Sequence, residues 1–110
     1  MLLPRRESAY IPPAKLTGYL LSETHPVGRF KARFFYAVGY DSTNAQSLER
    51  ALINIAHEQE VTDTIPTSYG TIYVIDGTLQ TPRGTDLQIR TVWIIVPGES
   101  SSRLVTAYPG

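Results

Sequence analysis

The apolar positions change period near residue 61, dividing the chain into a helical first half and an extended second half. Ala45, Leu48, Leu52, Ile55, Ala56 and Gln59 share one helical face, which predicts a helix over 44–60, capped from Asp41, Ser42, Thr43 and Asn44, with His57 on the solvated side. Upstream, Val27, Phe30, Phe34, Phe35, Ala37 and Val38 form a broad apolar arc, with Arg29, Arg33 and Tyr36 opposite. The stretch 25–38 therefore reads as a helix entered through Pro26 and stopped by Gly39. Leu16, Tyr19 and Leu20 give a shorter helix over 14–22, interrupted by Gly18. Pro4, Pro12 and Pro13 make residues 1–13 an extended arm anchored by Tyr10 and Ile11.

Strands are expected over 61–65, ended by Pro66, and over 70–79, 87–96 and 103–108, with tight turns at Thr81-Pro82-Arg83-Gly84 and from Pro97 to Ser102. The predicted fold class is α+β: about three N-terminal helices on one face of a three- to four-stranded antiparallel meander. In the most apolar strand, Leu87, Ile89, Thr91, Trp93 and Ile95 alternate with Gln88, Arg90, Val92, Ile94 and Val96, so both sheet faces carry apolar residues. One face packs on the helices. The other is expected to be half covered, by the N-terminal arm or by a partner, a second copy in a homodimer included.

With 110 residues, 42% hydrophobic and 18% charged, the chain reads as an ordinary globule forming one domain over 1–110. The absence of cysteine removes disulfides, thiolate metal sites and cysteine nucleophiles, and fits a reducing compartment. No apolar run reaches membrane-span length and no signal pattern opens the sequence, so a cytoplasmic protein with no membrane partner is expected. A net charge of zero argues against a generic nucleic-acid binder, yet the charge is uneven. Residues 1–40 carry six cations against Glu7 and Glu23, leaving +4; residues 41–64 carry five acids against Arg50, leaving −4. That asymmetry suits a small electropositive patch beside an acidic helix.

Three side chains stand out chemically. Lys31 falls inside an apolar arc, where its ammonium either snorkels to water or meets an anion. Arg90 sits on a strand among Val92 and Ile94, where a guanidinium takes a carboxylate, Asp76 or Asp86, or a phosphate. His25, directly before Pro26, is placed beside a helix start, either as a turn residue or as a proton-transfer group. Phosphate loops, nucleophile elbows and Cys-x-x-Cys pairs are absent from the sequence.

Tyr19-Leu20-Leu21, His25-Pro26, Gly28, Lys31-Ala32, Phe34-Phe35, Tyr69-Gly70, Tyr73, Arg90-Thr91, Trp93-Ile94, Arg103-Leu104, Thr106 and Tyr108 resemble an uncharacterised family of small bacterial domains over about residues 10–109. More remotely, helices before a four-stranded sheet, a basic helix and a terminal Thr-Ala-Tyr-Pro strand resemble the barnase, EndoU, colicin and RelE-like ribonuclease toxins. That resemblance implies metal-free, cofactor-free RNA cleavage by 2′-hydroxyl attack, and control by a cognate antitoxin or immunity protein. On it, His25, Lys31 and Arg90 are the catalytic candidates. Arg29, Tyr73, Thr106 and Tyr108 are the substrate-binding candidates. The alternative is a non-catalytic interaction module, the antitoxin, immunity or accessory member of a two-gene pair.

Overall fold

The computed structural model describes residues 1–109. Three α-helices, α1 (Pro13–Lys15), α2 (Gly28–Ala37) and α3 (Ala45–Glu58), precede four strands, β1 (Val61–Thr67), β2 (Gly70–Gln80), β3 (Asp86–Ile95) and β4 (Arg103–Pro109). The strands pair antiparallel in sequence order, β1-β2-β3-β4, so the expected α+β meander is the fold that forms.

Alternation along β3 settles which sheet face is inside. Ile89, Thr91 and Trp93 are buried, together with Ile75 and Leu79 of β2, beneath Leu48, Leu52, Ile55 and Ala56 of α3. Trp93 is fully buried and gives its indole N–H to Thr91 Oγ1 at 2.9 Å, while Thr91 gives its hydroxyl to the Ile75 carbonyl at 2.8 Å. The polar side-chain atoms of these two residues are thereby paired within the sheet, and among the described residues no buried side-chain nitrogen or oxygen lacks a partner. On the opposite face Gln88, Arg90, Val92 and Ile94 are partly or fully exposed.

Four expectations need correction. The first helix is α-helical only over Pro13–Lys15 and then widens into a π-helical segment, Leu16–Leu20, closed by the Leu21 N–H on the Leu16 carbonyl at 2.9 Å. β1 runs through Pro66 to Thr67, because an edge strand has amides facing away from the ladder and tolerates a proline. The first thirteen residues are not simply extended. They contain a 3-10 turn (Arg6–Ser8), bury Leu3 completely, and pair Tyr10 in parallel with Arg103; Ile11 is buried, whereas Tyr10 is 41% exposed.

The fourth correction concerns α2. Its inward stripe is Gly28, Ala32 and Phe35, while Val27 and Phe30, expected in the core, are 54% and 58% exposed. Small residues at positions 28 and 32 let the helix backbone approach the π-helical segment. Phe30 is turned outward between Arg29 and Arg33, whose guanidinium carbons lie 4.9 and 5.8 Å from its ring centre. The helix ends as expected at Gly39 (φ 100°), with Tyr40 N–H on the Phe35 carbonyl and Gly39 N–H on the Tyr36 carbonyl.

Candidate functional site

The π-helical segment, the loop before α2, and α2 itself curl around the β4 edge and meet the outer sheet face there. Tyr19 is the centre of this junction. Its phenol oxygen lies 3.3 Å from Thr106 Oγ1, and its ring makes an edge contact with the His25 imidazole at 5.0 Å between centroids. Two ammonium groups lie over the same ring, Lys15 at 5.1 Å and Lys31 at 5.5 Å. Lys31 also stands 5.8 Å from the ring centre of Tyr108, so it bridges the two tyrosines.

Strand register carries the cluster across the sheet. Asp76, Arg90 and Tyr108 are successive partners on β2, β3 and β4, and Val74, Val92 and Thr106 form the neighbouring row on the same face. Arg90 donates Nε to Asp76 Oδ1 at 2.8 Å and Nη2 to Oδ2 at 3.0 Å, a bidentate fork. The fork, followed by a smaller contribution from the Tyr108 hydroxyl, holds the Arg90 guanidinium still more firmly protonated than usual. Arg90 therefore stands beside Tyr108 at the margin of the cluster, with its Asp76-facing edge already occupied.

The electrostatics of Tyr19 are unusual for a half-buried phenol. Burial raises its pKa, but the hydrogen bond with Thr106 and the nearby ammonium groups of Lys31 and Lys15 outweigh it and leave the phenol below its ordinary range. Neither lysine has a carboxylate partner among the described residues.

His25 has a structural task. Its Nδ1 accepts the amide N–H groups of Gly28 at 2.9 Å and Val27 at 3.1 Å, and its carbonyl accepts from Arg29 at 3.1 Å. Regular helix bonding starts at Gly28 and Val27 has no capping side chain, yet the orphan amides at this end are satisfied two residues earlier, by imidazole. With Nδ1 so engaged, the ring proton resides on Nε2. Ser22 Oγ in turn accepts from the His25 amide at 3.0 Å and fixes the loop.

The junction thus brings together His25, Lys31, Arg90, Thr106 and Tyr108 of the residues singled out in the sequence. It does not bring Arg29, which is exposed beside Phe30 on another side of α2, or Tyr73, which pairs with Trp93 on the helix-covered face. Sequence reasoning missed Tyr19 and Lys15 as site residues. Their i, i+4 spacing, which lays an ammonium over a ring, was the available signal. Among the described residues no three His, Asp or Glu side chains gather as a metal requires. A separate open cleft of about 720 Å³, between α3 and the β2–β3 turn, is lined by Tyr40, Arg50, Glu58 and Gln80 and lies outside this cation cluster.

The Asp76 carboxyl gives a first test. Hydrogen bonding from Arg90, opposed by partial burial and helped by the arginine's charge, holds it below the usual carboxylate range. A lowered folded-state pKa stabilises the fold above the unfolded carboxylate range, and that contribution fades as pH falls through the lowered value. Both side chains are about 40% exposed, so Asp76→Asn is expected to cost no more than about 1 kcal/mol at neutral pH. The cost should vanish in acid, where wild type has lost the same charge; urea denaturation at the two pH values checks this.

Fold and site together define an α+β protein with a cluster of cations and phenols at the edge of its sheet. The chain belongs to a family described as a domain of unknown function, DUF6883, which matches residues 2–110. Among solved structures it is similar to a chain of the contact-dependent growth inhibition toxin–immunity protein complex from Klebsiella pneumoniae 342. The likeness covers 96% of each chain, with a TM-score of 0.73 and 14% identity, and is therefore one of fold. No curated protein matches the chain. Among the described residues no helix is long and apolar enough to cross a membrane.

Proposed function

We propose that this chain is a metal-independent ribonuclease of the toxin type, cleaving cellular RNA by attack of a ribose 2′-hydroxyl on the adjacent phosphate. The observation that carries the reading is the pair of lysines, Lys15 and Lys31, set over one phenol with no carboxylate among the described residues to balance them. Like charges gathered at a partly buried rim call for an anion, and a phosphodiester supplies one of suitable size beside the Thr106 and Tyr108 hydroxyls. Lys31 holds the phosphate, Thr106 and Tyr108 offer hydrogen bonds, Arg90 orients Tyr108, and His25 fixes the helix that presents Lys31. A cognate immunity protein as regulator is supported by the fold likeness to a chain of a toxin–immunity complex.

A second reading, a non-catalytic immunity or accessory member of such a pair, draws on one feature: the exposed Arg29, Phe30 and Arg33 patch, which suits protein recognition. The test that separates them is cleavage of total RNA and transfer RNA in EDTA by purified protein. Wild type should yield fragments ending in 2′,3′-cyclic phosphate, and Lys31→Ala should lower the rate by about a hundredfold. His25→Ala should lose about 1 kcal/mol of stability as its cap is removed. Intact RNA after prolonged incubation with wild type would exclude the ribonuclease and favour the interaction module.

A further inference from the structure

The ribonuclease reading leaves one role unfilled, because the attacking 2′-hydroxyl must lose a proton to some group at the junction. His25 already spends Nδ1 on two helix amides, so accepting a proton there would uncap α2. Asp76 is forked onto Arg90, and His57 is exposed on α3. Tyr19 remains: its phenol oxygen stands beside Thr106, on a partly buried ring over which both Lys15 and Lys31 lie.

We infer that Tyr19, acting as phenolate, is the proton acceptor for the ribose 2′-hydroxyl, an inference that rests on the ribonuclease reading. As the bond from O2′ to phosphorus forms, the bond from phosphorus to O5′ breaks. The 2′ proton passes to the Tyr19 oxygen, and the Lys31 ammonium gives one to the departing O5′. The site ends with a phenol and a neutral amine, and solvent exchange restores the starting charges. The charged and titratable groups around Tyr19 are Lys15 from its own segment, His25 from the loop and Lys31 from α2, with Tyr108 of β4 on the far side of Lys31 and Arg90 behind it; the Thr106 hydroxyl completes the set. The two lysines and the Thr106 hydroxyl favour the anion, in keeping with a phenol held below its ordinary range.

The test compares wild type with Tyr19→Phe, which keeps the ring and removes the oxygen. The expected result is a loss of at least about a hundredfold in the cleavage rate of an RNA oligonucleotide. Affinity for the uncleavable oligonucleotide carrying a 2′-deoxy residue at the scissile position should stay within about twofold. The rise of wild-type rate with pH should disappear in Tyr19→Phe and move to higher pH in Thr106→Val, which removes a contact that favours the phenolate. An ultraviolet difference titration of wild type against Tyr19→Phe reads the ionisation without substrate.

Cleavage by Tyr19→Phe within about threefold of wild type, or an unchanged pH limb, would overturn the inference while leaving the ribonuclease reading in place. So would a Tyr19 that ionises no earlier than free tyrosine. Wild-type protein inert toward every RNA would instead overturn the reading itself, and this role with it.

Discussion

Gly28→Ala is expected to disable fold and site together. A Cβ at position 28 would stand 2.1 Å from the Tyr19 carbonyl oxygen, 2.8 Å from its carbon and 2.9 Å from the Tyr19 ring. Two of those atoms are backbone, so no rotamer change relieves the clash, and α2 must move away from the π-helical segment. We expect a loss of about 3 kcal/mol or more, at the upper end of what overpacking costs. The displacement separates Lys31 from Tyr19 at the same time, so RNA cleavage should fall even at temperatures where the variant remains folded. Urea denaturation gives the stability change, and the cleavage assay at low temperature gives the functional one. A variant as stable and as active as wild type would mean that the two segments do not pack as described.

The second large effect is expected at Trp93. Its indole is fully buried in the centre of the sheet and its N–H is bound to Thr91, so Trp93→Ala should cost about 3–5 kcal/mol from lost apolar burial and the cavity left behind. Trp93→Phe should cost less, since most of the volume is retained, and should isolate the loss of the hydrogen bond to Thr91 Oγ1. Because the Arg90 row lies on the other face, Trp93→Phe should leave cleavage nearly unchanged under folding conditions. Denaturation midpoints for the two variants decide the matter.

These two positions also show what could be read in advance. Strict alternation grouped Trp93 with Ile89 and Thr91 on one face without deciding which face is inside, because both carry apolar residues, whereas α3 announced its buried face through period; in both, side-chain direction follows from backbone geometry alone. The α2 face could not be read in the same way. Three phenylalanines dominated the wheel, but helix approach was decided by Gly28 and Ala32, and Phe30 found cover between two arginines instead of in the core. The separation of Tyr73 from the cluster was legible: it is three residues from Asp76 on an uninterrupted strand, so the two lie on opposite faces. The Asp76 fork to Arg90 was foreseen as one of two pairings because both sit on strands of opposite charge need. The meeting of Tyr19 with Thr106 was not readable, since the π-helical widening that turns Tyr19 toward β4 has no period of its own in five residues.

The contact between Tyr19 and Thr106 joins positions 87 residues apart in the chain. Residues 1–11 likewise close onto positions near 61 and 103, through Met1 with Val61 and Tyr10 with Ser102 and Leu104. Such long-range closure slows folding, and it sets when the junction can form. The last strand must leave the ribosome before Tyr19 can meet Thr106 and Lys31 can reach Tyr108, so the cluster of cations and phenols assembles only after β4 has been made.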